Sequence, residues 1–257
     1  MTAHEVPGTP AAGSTPIRGS AGALVRHMEA SLTVPTATTM RTFAVGPLDR
    51  TVAETERRGR RLSTSRVLAY AVVRAAHAVP GITHRFVPAE TGAPSRAVDG
   101  AVHLGIAVDV GRPDGTRQVV VPVLRDADAL SFPAFIAEYD ALVAAARAGT
   151  LGPERLTGAN LILTNTAAFG STTGVPRLPA GPGAVVAIGA IGYPAGFAHV
   201  AEQLGIERTC TASCTYDHRV IQGADSGAFL RELATSVSTD SPLYDEVLAA
   251  VPAPVAE

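Results

Sequence analysis

Asp217, His218 and Arg219 stand side by side in TYDHRVIQGADSG, residues 215–227, in a chain of which only 17% is charged. A neutral imidazole with polar neighbours suits general-base work near neutral pH. The segment before it, TCTASCTY, reads as a strand, and a helical pattern begins just after Gly223. A strand–turn–helix corner of this kind presents one side chain where function is carried, and the glycine allows a tight turn. Asp217 and Arg219 can pair across the corner and order it. The same trio also suits a buried salt bridge with no chemistry attached. GSTTG, residues 170–174, has glycines but not the strained elbow of a hydrolase nucleophile. The histidine would therefore act directly on a substrate proton.

The elements that must position it can be read from the rest of the chain. Its 257 residues are 46% hydrophobic, enough for a substantial core. A net charge of −2 gives no electrostatic case for nucleic acid or an anionic membrane surface. No apolar run approaches a membrane span, and the first residues lack a charged-then-apolar export pattern, so a cytoplasmic protein is expected. All 21 basic residues are Arg. Without lysine there is no Schiff-base or lysine-base chemistry. Cys210 and Cys214 would lie roughly 13 Å apart along one strand face, too far to bond each other. No histidine stands nearby at zinc spacing, so no metal is expected and both read as buried thiols.

Residues 1–17, rich in Pro, Gly, Ala, Ser and Thr, read as a tail or linker, with one domain over 18–257. Helices are expected over 20–33, about 48–59, the apolar STSRVLAYAVVRAAHAV, and 131–148 between Ser131 and Gly149. TATTMRTFAV reads as a strand. VHLGIAVDV and RQVVVPVL, joined by GRPDGT, read as a hairpin. NLILTNTAAF, AVVAIGAIG and TCTASCTY follow as strands, and helices over 224–236 and 242–250 close the chain. AIGAIGYPAG lacks a dinucleotide fingerprint, and strand packing explains its glycines better. The class is α+β.

YDHRVIQG resembles the Asp-His-Arg-x-x-Asp-Gly signature of the dihydrolipoamide acyltransferase catalytic domain, whose fold is shared with chloramphenicol acetyltransferase. The similarity extends through VHLGIAVDV, VVVPVLRDADALSF and ARAGTLGPERLTGANLILTNTAAFGS, from about residue 18 to 250. VPTATTMR, YDHRVIQGADSG and GVPRL look closest to the acyltransferase-like domain of actinobacterial multifunctional 2-oxoglutarate enzymes. The resemblance implies a two-layer fold with a mixed sheet packed by helices, and a homotrimer with active sites between subunits. His218 matches the family's base and Thr164 the hydroxyl that stabilises the tetrahedral oxyanion. Gln222 departs from the usual Asp, so a hydrogen bond would replace an ion pair in supporting the His loop, with Arg26 a candidate partner. Asn165 and Ser171 are candidate support residues, as are Asp217 and Arg219.

Full-length relatives carry a lipoyl domain, with its modified lysine, and a subunit-binding domain; the short tail reads as neither, and no lysine is present to carry a lipoyl group. The acyl group is therefore expected from free acyl-CoA, an acyl carrier, or a lipoyl arm in trans. The leading expectation is an O-acetyltransferase moving acetyl from acetyl-CoA to a small-molecule hydroxyl, such as a tetronate intermediate in polyketide-type biosynthesis. The alternatives are a succinyl- or acetyl-transferring core of a 2-oxoacid dehydrogenase assembly, and a silent trimeric scaffold.

Overall fold

The strand that ends at the Asp-His-Arg corner is flanked on both sides in a six-stranded mixed sheet. The structure is a computed structural model that describes residues 16–60, 62–111, 115 and 117–251. In chain order the elements are α1 (Gly19–Ser31), β1 (Thr36–Ala44), α2 (Gly46–Arg57), α3 (Thr64–Ala78), β2 (Arg85–Val87), β3 (Ser95–Ala97), β4 (Leu104–Ile106), β5 (Val108–Gly111), β6 (Arg117–Val120), β7 (Val123–Leu124), α4 (Phe132–Ala148), β8 (Leu161–Asn165), β9 (Ala184–Ile188), α5 (Ala201–Leu204), β10 (Thr209–Asp217), α6 (Gly223–Ser238) and α7 (Pro242–Ala249). The expected tail lies outside the described residues except for its last two.

The sheet order is β1-β10-β9-β8-β4-β7. β10 is antiparallel to both neighbours, whereas β8 runs parallel to β9 and β4. Side chains alternate across the sheet. On β10, Cys210, Ala212, Cys214 and Tyr216 enter the main core beneath the helices. Thr211, Ser213 and Thr215 turn to the other face, where Thr215 bonds Thr38 at 2.7 Å and Thr211 bonds Thr42 at 2.8 Å.

α3 and α6 pack against each other and α6 lies on β1, while α4 covers β5 and β7. The apolar spacing of α3 and α4 has its physical outcome in an aromatic cluster. The Tyr70 ring lies 5.2 Å from both Phe132 and Phe135, all three buried. Truncating a side chain such as Phe135 costs about 3–5 kcal/mol in such settings. α4 begins after Ser131, carries Pro133 in its first turn, and ends at Gly149 with φ 68°. That left-handed stop favours a glycine.

The expected hairpin divides in two. Its base, β4 and β7, joins the main sheet, while β5 and β6 form a separate two-stranded ribbon. The division falls at Pro122, which has no N–H to donate, and at Ala107, whose N–H goes to the Leu163 carbonyl at 2.8 Å. The ribbon β2–β3 and the single turn α5 carried too short a pattern to be read from the sequence.

Of the two glycines of AIGAIG, Gly189 has the packing role expected, whereas Gly192 has open space where a Cβ would project. At Gly189, which closes β9, an added Cβ would collide with the backbone carbonyl of Thr172. The 170–175 loop can cross the sheet only because nothing projects there, and its Gly174 carbonyl accepts the Ser213 hydroxyl. Gly189→Ala is therefore expected to destabilise the protein by about 1–3 kcal/mol. The check is the urea midpoint, with an unchanged midpoint showing that the loop moves aside freely.

Candidate active site

β10 carries its last residue, Asp217, into a buried position and leaves His218 exposed just beyond it. The Asp217 carboxylate is the centre of the corner. Its Oδ1 accepts the Arg219 backbone N–H at 3.1 Å and Nε–H at 2.8 Å, and its Oδ2 accepts the other guanidinium arm at 2.6 Å. The backbone N–H groups of Val220 and Ile221 close onto the Asp217 carbonyl at 3.1 and 3.0 Å. A buried carboxylate needs such partners, because removing one leaves an uncompensated charge at a cost of about 3–5 kcal/mol. Asp217 and Arg219 thus pair across the corner as the sequence suggested.

His218 itself is pinned through its backbone. Its N–H donates to the Pro35 carbonyl at 2.9 Å, just before β1, and the preceding N–H of Asp217 donates to the Gly183 carbonyl at 2.9 Å. The imidazole stands edge-on to the Tyr216 ring at 5.4 Å. It makes no hydrogen bond to any described residue, so its nitrogens are open to a partner.

Gly223 does not supply the tight turn. It opens α6 without a left-handed φ, and a Cβ there would meet only ordinary contact at 3.6 Å from the Tyr216 hydroxyl. The close backbone approach occurs instead at Gly183, where a Cβ would strike the carbonyl of His84. Gln222 caps α6, and its backbone N–H donates to the Asp225 carboxylate at 2.9 Å. Its side chain is exposed, and no hydrogen bond joins it to Arg26 within the described chain. Arg26 projects from α1, exposed and lying back along its own helix near Gly22.

Thr164 lies on β8, half-buried, with no hydrogen bond to its hydroxyl among the described residues. Asn165 braces the strand end: its amide donates to the Ser65 hydroxyl at 2.9 Å, and its carbonyl oxygen accepts the Ala167 N–H at 2.9 Å. Ser171 is exposed on the loop and contributes its backbone carbonyl to the Ala190 N–H at 2.8 Å. Ile162, on the same face of β8 as Thr164, lines a cleft of about 570 Å³ that also includes Val119, Val121, Leu156, Pro179, Arg85 and His27.

Register separates the two principal residues. Thr164 is level with Ala187, and Ala187 with Ser213, so β9 lies between Thr164 and β10. His218 is five residues further along. At about 3.3 Å per residue and about 4.8 Å per strand, the two are roughly 19 Å apart. One chain therefore brings together Asp217, His218, Arg219 and Gln222, and separately Thr164 and Asn165, but it does not join the two groups. Pro35, Gly183 and Phe86, over whose ring the Arg219 guanidinium lies, had no sequence signal because their roles arise only from long-range contact.

The fold and the corner define a chloramphenicol acetyltransferase-like α+β protein that presents a histidine at the end of a central strand. The profile of the family described as 2-oxoacid dehydrogenases acyltransferase (catalytic domain) matches residues 10–243, and the chain belongs to that family. It is an acyltransferase domain. It is 38% identical over 240 residues to a multifunctional 2-oxoglutarate metabolism enzyme of Mycobacterium sp. (strain JLS), covering 90% of this chain and 19% of the relative. The chain thus spans about a fifth of the length of such curated relatives. Among solved structures, the dihydrolipoamide acetyltransferase of Azotobacter vinelandii, 23% identical, aligns with TM-score 0.75 over 93% of this chain and 99% of that one. That structure addresses the role of a serine, a histidine and an asparagine four residues after it in the catalytic mechanism. A chloramphenicol acetyltransferase, 12% identical, aligns with TM-score 0.51 over 82% and 94% of the two chains.

Both cysteines are buried on β10, as expected. Burial pushes the Cys210 thiol up to about 11 and the Cys214 thiol up to about 12. The thiolate is the reactive form, so neither should react at pH 8. A colorimetric disulfide reagent is expected to find no thiol in the folded protein and both after unfolding. Rapid native labelling would show that β10 opens to solvent.

Proposed function

We propose that this chain is the acyl-transfer core of a 2-oxoacid dehydrogenase assembly. It would move a succinyl or acetyl group between a dihydrolipoyl thiol, carried by a lipoyl domain in trans, and coenzyme A. The multifunctional 2-oxoglutarate relatives support succinyl, since their name places them in 2-oxoglutarate metabolism, and oxidative decarboxylation of that acid yields a succinyl group. Those relatives offer no support for the O-acetylation of a small-molecule hydroxyl expected from the sequence.

The observation that carries the reading is the pair of open side chains, the His218 imidazole and the Thr164 hydroxyl, kept apart within one chain. A single copy holds half of each site at each place. The reading therefore includes a homotrimer in which His218 of one subunit faces Thr164 of the next. His218 takes the proton of the coenzyme A thiol as the sulfur attacks the thioester carbonyl. Negative charge gathers on the carbonyl oxygen, and the Thr164 hydroxyl donates to it. Collapse breaks the bond to the lipoyl sulfur, which leaves with the proton held by the imidazolium. Asn165 keeps the β8 end in place. Gln222 stands four residues after His218, the spacing of the asparagine in the Azotobacter protein, and its amide supports the loop by hydrogen bonding. Arg26 of a neighbouring subunit is its proposed partner, and Ser171 a further support residue.

The test mixes succinyl-CoA with dihydrolipoamide and follows the new thioester by mass. Transfer between thiols leaves the total free thiol unchanged, whereas transfer to an alcohol raises it. An acetyl-CoA assay with small alcohols therefore separates the O-acetyl reading, and silence with every acceptor supports the scaffold. His218→Ala is expected to lower turnover by about 10²–10⁴. Thr164→Val is expected to lower it by about 10²–10³, while Thr164→Ser stays within a few-fold of wild type.

Mixing supplies an independent check of the interface. Equal amounts of His218→Ala and Thr164→Val chains, dissociated and reassembled together, place an intact histidine opposite an intact threonine with odds of one half times one half. About a quarter of wild-type activity should return. No recovery in verified mixed oligomers would place both residues of each site in one chain and overturn the shared-site arrangement.

A further inference from the structure

Phe86 stands on β2, outside the main sheet, and takes no part in the chemistry. The Arg219 guanidinium carbon lies 3.7 Å from its ring centroid. That distance is well inside the range in which a cation is drawn to the face of an aromatic ring. Among the described residues, every hydrogen bond of the Arg219 side chain runs to Asp217, two residues away. Among the described residues, the ring is therefore what ties this guanidinium to a distant part of the sequence.

The ring is itself anchored. Phe86 pairs with Arg96 in the β2–β3 register. Its neighbour Arg85 bonds Asp99 through two arms, at 2.8 and 2.6 Å. The Asn160 amide donates to the same Asp99 carboxylate at 3.1 Å, immediately before β8. The place of the ring is thus set from the β8 side of the fold and not by the corner it supports.

We propose that Phe86 is a positioning residue for His218, acting through Arg219. The flat guanidinium rests on the ring and cannot tilt. Its two N–H arms then hold the Asp217 carboxylate in the plane that also receives the Arg219 backbone N–H. His218 lies between these two residues, so the direction of its side chain follows from that plane. A leucine fills similar space but offers no ring face, so the guanidinium would rock and the imidazole would sample unproductive directions. The inference rests on the reading of His218 as the base of acyl transfer.

Phe86→Leu and Phe86→Tyr provide the test, assayed for thioester exchange. Leucine is expected to lower kcat about three- to tenfold while KM for coenzyme A stays within about twofold. Tyrosine, which keeps the ring, should restore kcat. If Phe86 acts through Arg219, adding Phe86→Leu to Arg219→Gln, which keeps a donor for Asp217 but no cation for the ring, should cost no further activity. Wild-type kcat in Phe86→Leu, equal losses in both Phe86 variants, or additive losses in the double variant would each overturn the proposal.

The contact also has a signature that needs no activity. The ring current should move the Arg219 Nε–H proton upfield in an NMR spectrum, and Phe86→Leu should abolish the shift. A wild-type enzyme whose transfer survives His218→Ala overturns the functional reading alone, and the NMR shift still decides whether the clamp exists. Absence of the shift in the wild type overturns the clamp.

Discussion

The antiparallel seating of β10 between β1 and β9 is the constraint on which the rest of the structure depends. Its alternation sends cysteines, Ala212 and Tyr216 into the core and threonines and Ser213 to the opposite face. A one-residue slip would reverse this arrangement, setting hydroxyls under the helices and the apolar row on the face where Thr38 and Thr42 meet their hydroxyl partners. Because that cost is large, register is tightly specified. The same register decides where the strand ends, and therefore where His218 emerges. Burial at one end of the strand thus defines geometry at the other.

Much of this architecture was legible in the sequence. Long, strongly patterned segments declared themselves: the apolar α3, the amphipathic α4 between its cap and Gly149, and the run of strands that leads to the corner. Period and punctuation carried those readings. Where the sequence misled, the cause was tertiary. The hairpin looked continuous because its apolar residues were continuous, yet a missing proline N–H and a hydrogen bond to β8 divided it. Gly223 looked like a turn glycine, while the glycine the fold requires near the corner, Gly183, lies more than thirty residues earlier against the carbonyl of His84.

The site was legible to a similar degree. Asp217 and Arg219 are close in sequence, so their pairing could be anticipated from local geometry. Phe86 and Pro35 reach the corner only after the sheet has assembled, and no local pattern marks them. The distance between Thr164 and His218 was legible only once strand order was known. Two residues that resemblance brings into one reaction are kept apart by an intervening strand. In the proposed assembly, oligomerisation completes the chemistry as well as adding stability.

The depth of the two sulfurs within β10 has a consequence for a protein that handles activated acyl groups. Exposed amines and thiolates attack thioesters without assistance and become acylated, so an acyltransferase working among such donors is itself a target. Here the sequence holds no lysine, and its two thiols are buried in their protonated form. The side chains that ordinarily suffer such adventitious damage are missing from this surface, so the chain can work among reactive donors with little risk of modifying itself.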